Sequence, residues 1–365
     1  MLQLARVSLA FLCNFASGPA TVMSNKMVFV TTGFSFPILL TVCHYVCTWL
    51  VIKAMSRLGV YSPAQAQLLS SKGSGARRSV ILLIITWSFY NIMSNLSLSQ
   101  NSVGIYQMIK LLMAPGAVVW DFVLYGKKPT PWQSMLLCLA VFGVYSCTVS
   151  SLDSGDLTLF GLAVAFLAVF LAIFQKGLTS HVIQYTEVKL SPLQLLDSCM
   201  PWMGAITVLS AIALEDCRAA AQQVRRGHCM AIAFSSLCGT MANVSSTWVL
   251  GLTSPLAHIL LGQLKTILIL LGGFLFFDKE PTLRTLMGAV MALTGITMYA
   301  WSKLPKEDEK DEDGATNDSV RNDVWKASGE KSEWDEEAAM FTKEMELEEK
   351  VRGTHRTCDE STKEH

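Results

Sequence analysis

Apolar runs of about 20 residues alternate with short polar connections over most of the first 302 positions. A helix of that length matches the hydrocarbon thickness of a bilayer. Ten spans are predicted, at roughly 5–29, 36–55, 79–98, 103–125, 132–150, 157–178, 192–213, 229–250, 255–277 and 283–302. Polar residues interrupt the third (Asn91, Ser94, Asn95) and the eighth (Asn243, Ser245, Ser246). Only Ser56–Arg78, Ser180–Ser191 and Glu215–Gly227 form longer connections. The pattern predicts an all-α membrane protein with its transmembrane domain over residues 1–302.

Two lysines break the apolar pattern where a charge is costly. Lys265 lies near the middle of Pro255–Phe277, and Lys110 is embedded in Val103–Tyr125. A cation at the centre of such a helix costs about 2.5–3.5 kcal/mol on insertion scales and so marks a substrate or ion path. The alternative is a side chain that snorkels to the headgroups. That is easy for Lys110, less than halfway along its run, and hard for Lys265.

The lysines also occupy matching places in an internal repeat. Lys110 is followed by Lys128-Pro129-Thr130 and then by Gly143 and Tyr145; Lys265 is followed by Glu280-Pro281-Thr282 and then by Gly295 and Tyr299. The interval from Thr to Gly is the same in both. Ten spans divide into five and five, and an odd number per repeat inverts the second half in the membrane. Two inverted five-helix repeats are therefore expected.

Composition agrees and adds one division. The chain is 51 % hydrophobic and 16 % charged, far below the charged fraction of soluble domains. Formal net charge is +0, yet residues 303–365 carry 20 acids against 11 bases, which leaves the rest about nine charges positive. Leu2–Phe15 lacks the basic region and cleavage site of a signal peptide and reads as part of the first span. With the N-terminus cytosolic, Arg57, Lys72, Arg77, Arg78, Lys127, Lys128, Lys176 and Lys189 fall on the cytosolic side, and Lys26, Arg218, Arg225, Arg226, Lys279 and Arg284 on the other. The tail, 303–365, is predicted to be a charged, largely disordered cytosolic segment.

The cysteines have no CxxC spacing or histidine partners, so neither a zinc site nor a disulfide framework is expected. No HExxH, GxSxG or Walker loop is present, so the chain is not read as an enzyme, and no cofactor or metal is expected. Nothing suggests a nucleic-acid partner; a homodimer is left open.

Tyr106, Gln107 and Lys110 share one helix face, on which an ammonium can hold a phosphate while the ring stacks on a base or sugar. Gly262 lies one turn before Lys265 and would let a ligand or helix approach closely, and Thr266 would add a hydroxyl. His258 could face the same region. Asn91 with Asn95, and Asn243 with Ser246, line single faces suited to interhelical hydrogen bonds, and Asn95 is also a candidate substrate contact.

The stretch Asn95-Leu-Ser-Leu-Ser-Gln-Asn-Ser-Val-Gly-Ile-Tyr-Gln-Met-Ile-Lys110 resembles the nucleotide-sugar transporter/triose-phosphate translocator family of the drug/metabolite transporter superfamily. So does Thr253-Ser-Pro-Leu-Ala-His-Ile-Leu-Leu-Gly-Gln-Leu-Lys265-Thr266, with Gln194-Leu-Leu and Asn25-Lys26 as lesser matches. The resemblance covers about residues 5–302. It implies alternating access in the Golgi or endoplasmic reticulum membrane, with a nucleotide-sugar exchanged for a nucleoside monophosphate. Lys265-Thr266 is similar to the group carrying UDP-galactose or UDP-rhamnose against UMP; plastid sugar-phosphate exchangers typically show Lys-Arg there. Asp197 stands where relatives often have an aromatic, and a carboxylate beside the base would suit guanine. The alternatives are a sugar-phosphate or phosphoenolpyruvate exchanger and a non-transporting membrane receptor or trafficking adaptor of the same fold.

Overall fold

The computed structural model describes residues 2–60, 74–153, 157–185, 192–223, 228–252, 255–277 and 282–302. The predicted tail, 303–365, lies outside the described residues. Twelve helices are present among the described residues: α1 Leu2–Val30, α2 Pro37–Arg57, α3 Ser74–Gln100, α4 Val103–Lys110, α5 Met113–Tyr125, α6 Pro131–Asp153, α7 Leu159–Tyr185, α8 Pro192–Leu214, α9 Cys217–Gln223, α10 Cys229–Leu252, α11 Pro255–Phe276 and α12 Leu283–Ser302. Among the described residues, eight stretches are long and apolar enough to cross a membrane, α4 with α5 counting as one. The all-helical membrane character is as predicted.

The fourth span is broken where a single helix is expected. Ser102 starts α4 by accepting from the Ile105 amide. The ladder then tightens: Leu111 N bonds Met108 O, Leu112 N bonds Ile109 O, and α5 begins at Met113. Pro115 accounts for the break, because its ring collides with the carbonyl four residues back, that of Leu111. The interruption falls directly after Lys110.

Packing pairs the helices of the two halves. α6 lies against α12, α3 against α7, α1 against α10, α2 against α8 and α4 against α11. At α6–α12 the contact is backbone on backbone. A Cβ on Gly143 would lie 2.5 Å from Ala292 N and Gly288 O, and one on Gly295 2.7 Å from Leu136 O. Small residues at helical spacing let two backbones meet this closely within lipid. The repeat-matched Gly143 and Gly295 therefore serve one interface.

Both polar-interrupted spans form helices, because their polar residues bond across to neighbours. Asn95 Nδ2 donates to Thr41 Oγ1 (2.8 Å), its Oδ1 accepts from Asn25 Nδ2 (2.9 Å), and Asn25 Oδ1 accepts from Ser235 Oγ (2.5 Å). Asn91 Nδ2 donates to Tyr45 Oη (2.7 Å). These bonds tie α1, α2, α3 and α10 together. At one end of α8 the Glu215 carboxylate accepts the Ile38 and Leu39 amides that open α2 (2.8 and 2.9 Å). Burial pushes the Glu215 carboxyl above the usual carboxylate range, and the two amides pull it back.

Two lysines counted toward sidedness lie within helices. Lys26 is buried within α1, donating to the carbonyls of Leu98 (3.0 Å) and Asn101 (2.6 Å) at the end of α3. Lys176 lies inside α7, which runs on to Tyr185, well past the expected end of the sixth span.

Candidate functional site

The helices that carry Lys110 and Lys265, α4 and α11, pack against each other. Gln107 Nε2 donates to Thr266 Oγ1 (3.4 Å), which fixes the crossing one turn before Lys110 and one residue after Lys265. Thr266 Oγ1 in turn donates to Gly262 O (3.1 Å). Its proton is thus used within α11 and is not the free donor the sequence suggests. Gln107 Oε1 is buried without a partner, an acceptor left open at the crossing.

Lys110 is held on the α3–α4 side. Its Nζ donates to Tyr106 Oη (2.7 Å) and lies 4.6 Å from the centre of that ring and 5.9 Å from that of Tyr90. The Tyr106 hydroxyl also bonds Ser94 Oγ (2.9 Å). Cation–π contact and a phenolic acceptor stabilise an ammonium without neutralising it. Tyr90 has no counterpart in the sequence prediction, since it precedes Lys110 by most of a helix.

Lys265 is held on the α1–α10 side. Its Nζ donates to Asn14 Oδ1 (2.6 Å), and Asn14 Nδ2 donates to Ser245 Oγ (3.1 Å). The lysine stem crosses the bare face of Gly18, where a Cβ would come within 2.9 Å of Lys265 Cδ. Gly262, by contrast, opens on empty space, with no atom within 4 Å of a Cβ placed there. Asn14 and Gly18 contact Lys265 without being marked by spacing; Asn14, a buried amide within the apolar first span, is the one legible signal.

Lys110 and Lys265 share a third lysine as neighbour. Lys176 on α7 interacts electrostatically with Tyr90 and Lys110, and also with Lys265. The described ion pairs are Lys53–Asp197 and Arg284–Asp153, so among the described residues no carboxylate serves any of these three lysines. Such a cluster can bind a polyanion through point charges, with two tyrosine rings and the Gln107 carbonyl beside it.

The remaining candidates lie elsewhere or outside view. Asn95 is engaged on both sides in the interhelical network described above. Asp197 is buried with its Oδ1 2.7 Å from Lys53 Nζ, tying α8 to α2. That ion pair gives Asp197 a structural role between α2 and α8. Asp197→Asn is therefore expected to lower thermal stability while leaving nucleotide affinity unchanged; weaker nucleotide binding at unchanged stability would place Asp197 in the site. His258 falls on α11, and its side chain lies outside the described residues.

The sequence profile of the Triose-phosphate Transporter family matches residues 5–300. Three Arabidopsis thaliana proteins show the range of relatives. Nucleotide-sugar uncharacterized transporter 2 is 32 % identical over 304 residues, covering 80 % of this chain and 71 % of that protein. UDP-rhamnose/UDP-galactose transporter 1 is 27 % identical over 309 residues, covering 80 % and 82 %. UDP-xylose transporter 2 is 26 % identical over 315 residues, covering 81 % and 85 %.

Proposed function

The chain belongs to the Triose-phosphate Transporter family, and from that premise we propose that it carries a nucleotide-sugar across the Golgi membrane in exchange for a nucleoside monophosphate. The observation that carries this reading is that α4 and α11, which carry Lys110 and Lys265, cross at Gln107 and Thr266, with no acid paired to either lysine among the described residues. Two ammonium groups from different helices can clasp a diphosphate, while Tyr90 and Tyr106 offer faces to a base or sugar. Relatives named for UDP-sugars support uridine, as does the resemblance carried by Lys265-Thr266. A UDP-hexose, galactose or rhamnose, against UMP is the specific form of the proposal.

Ten spans in two inverted five-helix repeats are part of the same reading. Exchange of the two halves maps the α3–α7 pairing onto α10–α1, and leaves α2–α8, α4–α11 and α6–α12 each matched to itself. Broken helices beside the binding site are common in transporters built from inverted repeats, and the α4–α5 break directly after Lys110 fits that habit. Rocking one half against the other would open the lysines to each side in turn. With its charges unneutralised, the empty carrier is expected to reorient slowly, which makes transport an exchange. Residues 303–365 are proposed to be cytosolic and dispensable for the transport step.

Uptake by the purified protein in proteoliposomes, screened across UDP-, GDP- and CMP-sugars and sugar phosphates, tests the proposal. UDP-sugar uptake well above that of empty liposomes is expected. Uptake of sugar phosphates alone would replace the reading with a sugar-phosphate exchanger. No uptake of any anion would favour a non-transporting receptor.

A further inference from the structure

We infer that Lys176 is a third cation of the binding site, and that it sets the amount of negative charge the cargo must carry. The inference rests on the transport reading above and extends it to a residue that neither spacing nor repeat symmetry marks. Each other intramembrane lysine described has a partner: two carbonyls for Lys26, Asp197 for Lys53, a tyrosine hydroxyl for Lys110 and an amide for Lys265. Lys176 has neither a hydrogen bond nor an ion pair among the described residues. Its side chain is exposed, although it sits well inside α7, within electrostatic reach of Tyr90, Lys110 and Lys265.

The two halves differ at this point. α1 packs on α11 as α7 packs on α4 and α5. Where α1 offers Lys265 the neutral amide of Asn14, α7 brings Lys110 close to another ammonium. In the empty protein that proximity is repulsive, and among the described residues Tyr90, which reaches both ammonium groups, offsets it without a full countercharge. A bridging polyanion reverses the sign, and the gain grows with the charge it carries. Positive charge is thus concentrated where α7 meets α4, and the phosphates of the cargo belong there.

Ligand-dependent thermal stabilisation of the purified full-length protein, titrated with UDP-galactose, UDP, UMP, inorganic pyrophosphate and uridine, tests this with K176Q and K176R. K176Q is expected to bind UDP and UDP-galactose about tenfold more weakly, UMP less so, and uridine as wild type does. K176R should stay close to wild type. K176M, which matches the surrounding apolar helix, replaces K176Q if the amide does not fold. Unchanged affinities, or one uniform loss across charged and uncharged ligands, would overturn the inference. If wild type responds to pyrophosphate and to none of the uridine compounds, the nucleotide-sugar reading falls, while the loss of pyrophosphate affinity in K176Q still decides the role of Lys176. Wild type indifferent to every anion would end both.

Discussion

Replacing Lys265 by alanine is expected to lower nucleotide-sugar uptake about a hundredfold, as removing one partner of a charge pair typically does, while the melting temperature stays close to wild type. The two effects separate because a lysine within a span opposes insertion and its removal costs the fold little. What is lost on the protein side is one bond, from Nζ to Asn14 Oδ1. Lys110→Ala should behave alike in uptake with a somewhat larger stability loss, because its ammonium also rests on the Tyr106 and Tyr90 rings. Proteoliposome uptake and thermal unfolding, measured on the same preparations, would check this. Retained uptake in either variant would remove that lysine from the site.

The largest structural effect is expected at Gly143. A Cβ there would sit 2.5 Å from main-chain atoms of Gly288 and Ala292, which cannot rotate aside as a side chain could. Overpacking costs about 1–3 kcal/mol where neighbours can adjust. Gly143→Ala should reach the upper end of that range, read as a lowered unfolding midpoint, and Gly143→Leu should prevent stable folding. Gly33→Ala makes a useful contrast: a Cβ there meets nothing within 4 Å, and the strain comes only from its φ of +69°. A well-folded Gly143→Leu protein would show that α6 and α12 do not meet as described.

Much of this architecture is legible in the sequence because the bilayer imposes it. Spans appear as apolar runs, and a lysine within one is conspicuous since no water is at hand to solvate it. The Thr–Gly interval marks Gly143 and Gly295 before the structure joins them across one interface. Lys176 is misread for an equally physical reason: it stands near the end of an apolar run, where a loop cation is the ordinary expectation. The extension of α7 to Tyr185 sets it further from the helix end than the expected span, 157–178, does. Asp197 is hard to read for a different reason. It looks like a departure facing the cargo, yet its partner Lys53 is far away in sequence and closes the charge between α2 and α8. Long-range pairing of this kind leaves no periodicity to read. The break after Lys110 is intermediate, since Pro115 announces an interruption without saying that it falls beside the binding lysine.

The central claim is that the lysine cluster binds a uridine nucleotide on each face of the membrane in turn. Its most direct test is UDP-galactose and UDP-rhamnose uptake into proteoliposomes preloaded with UMP, GMP or buffer alone. The account predicts that internal UMP accelerates uptake severalfold, that GMP and buffer do not, and that the acceleration disappears in Lys110→Ala and Lys265→Ala. Acceleration of GDP-sugar uptake by GMP would contradict the uridine assignment, and uptake indifferent to every internal nucleotide would contradict exchange itself.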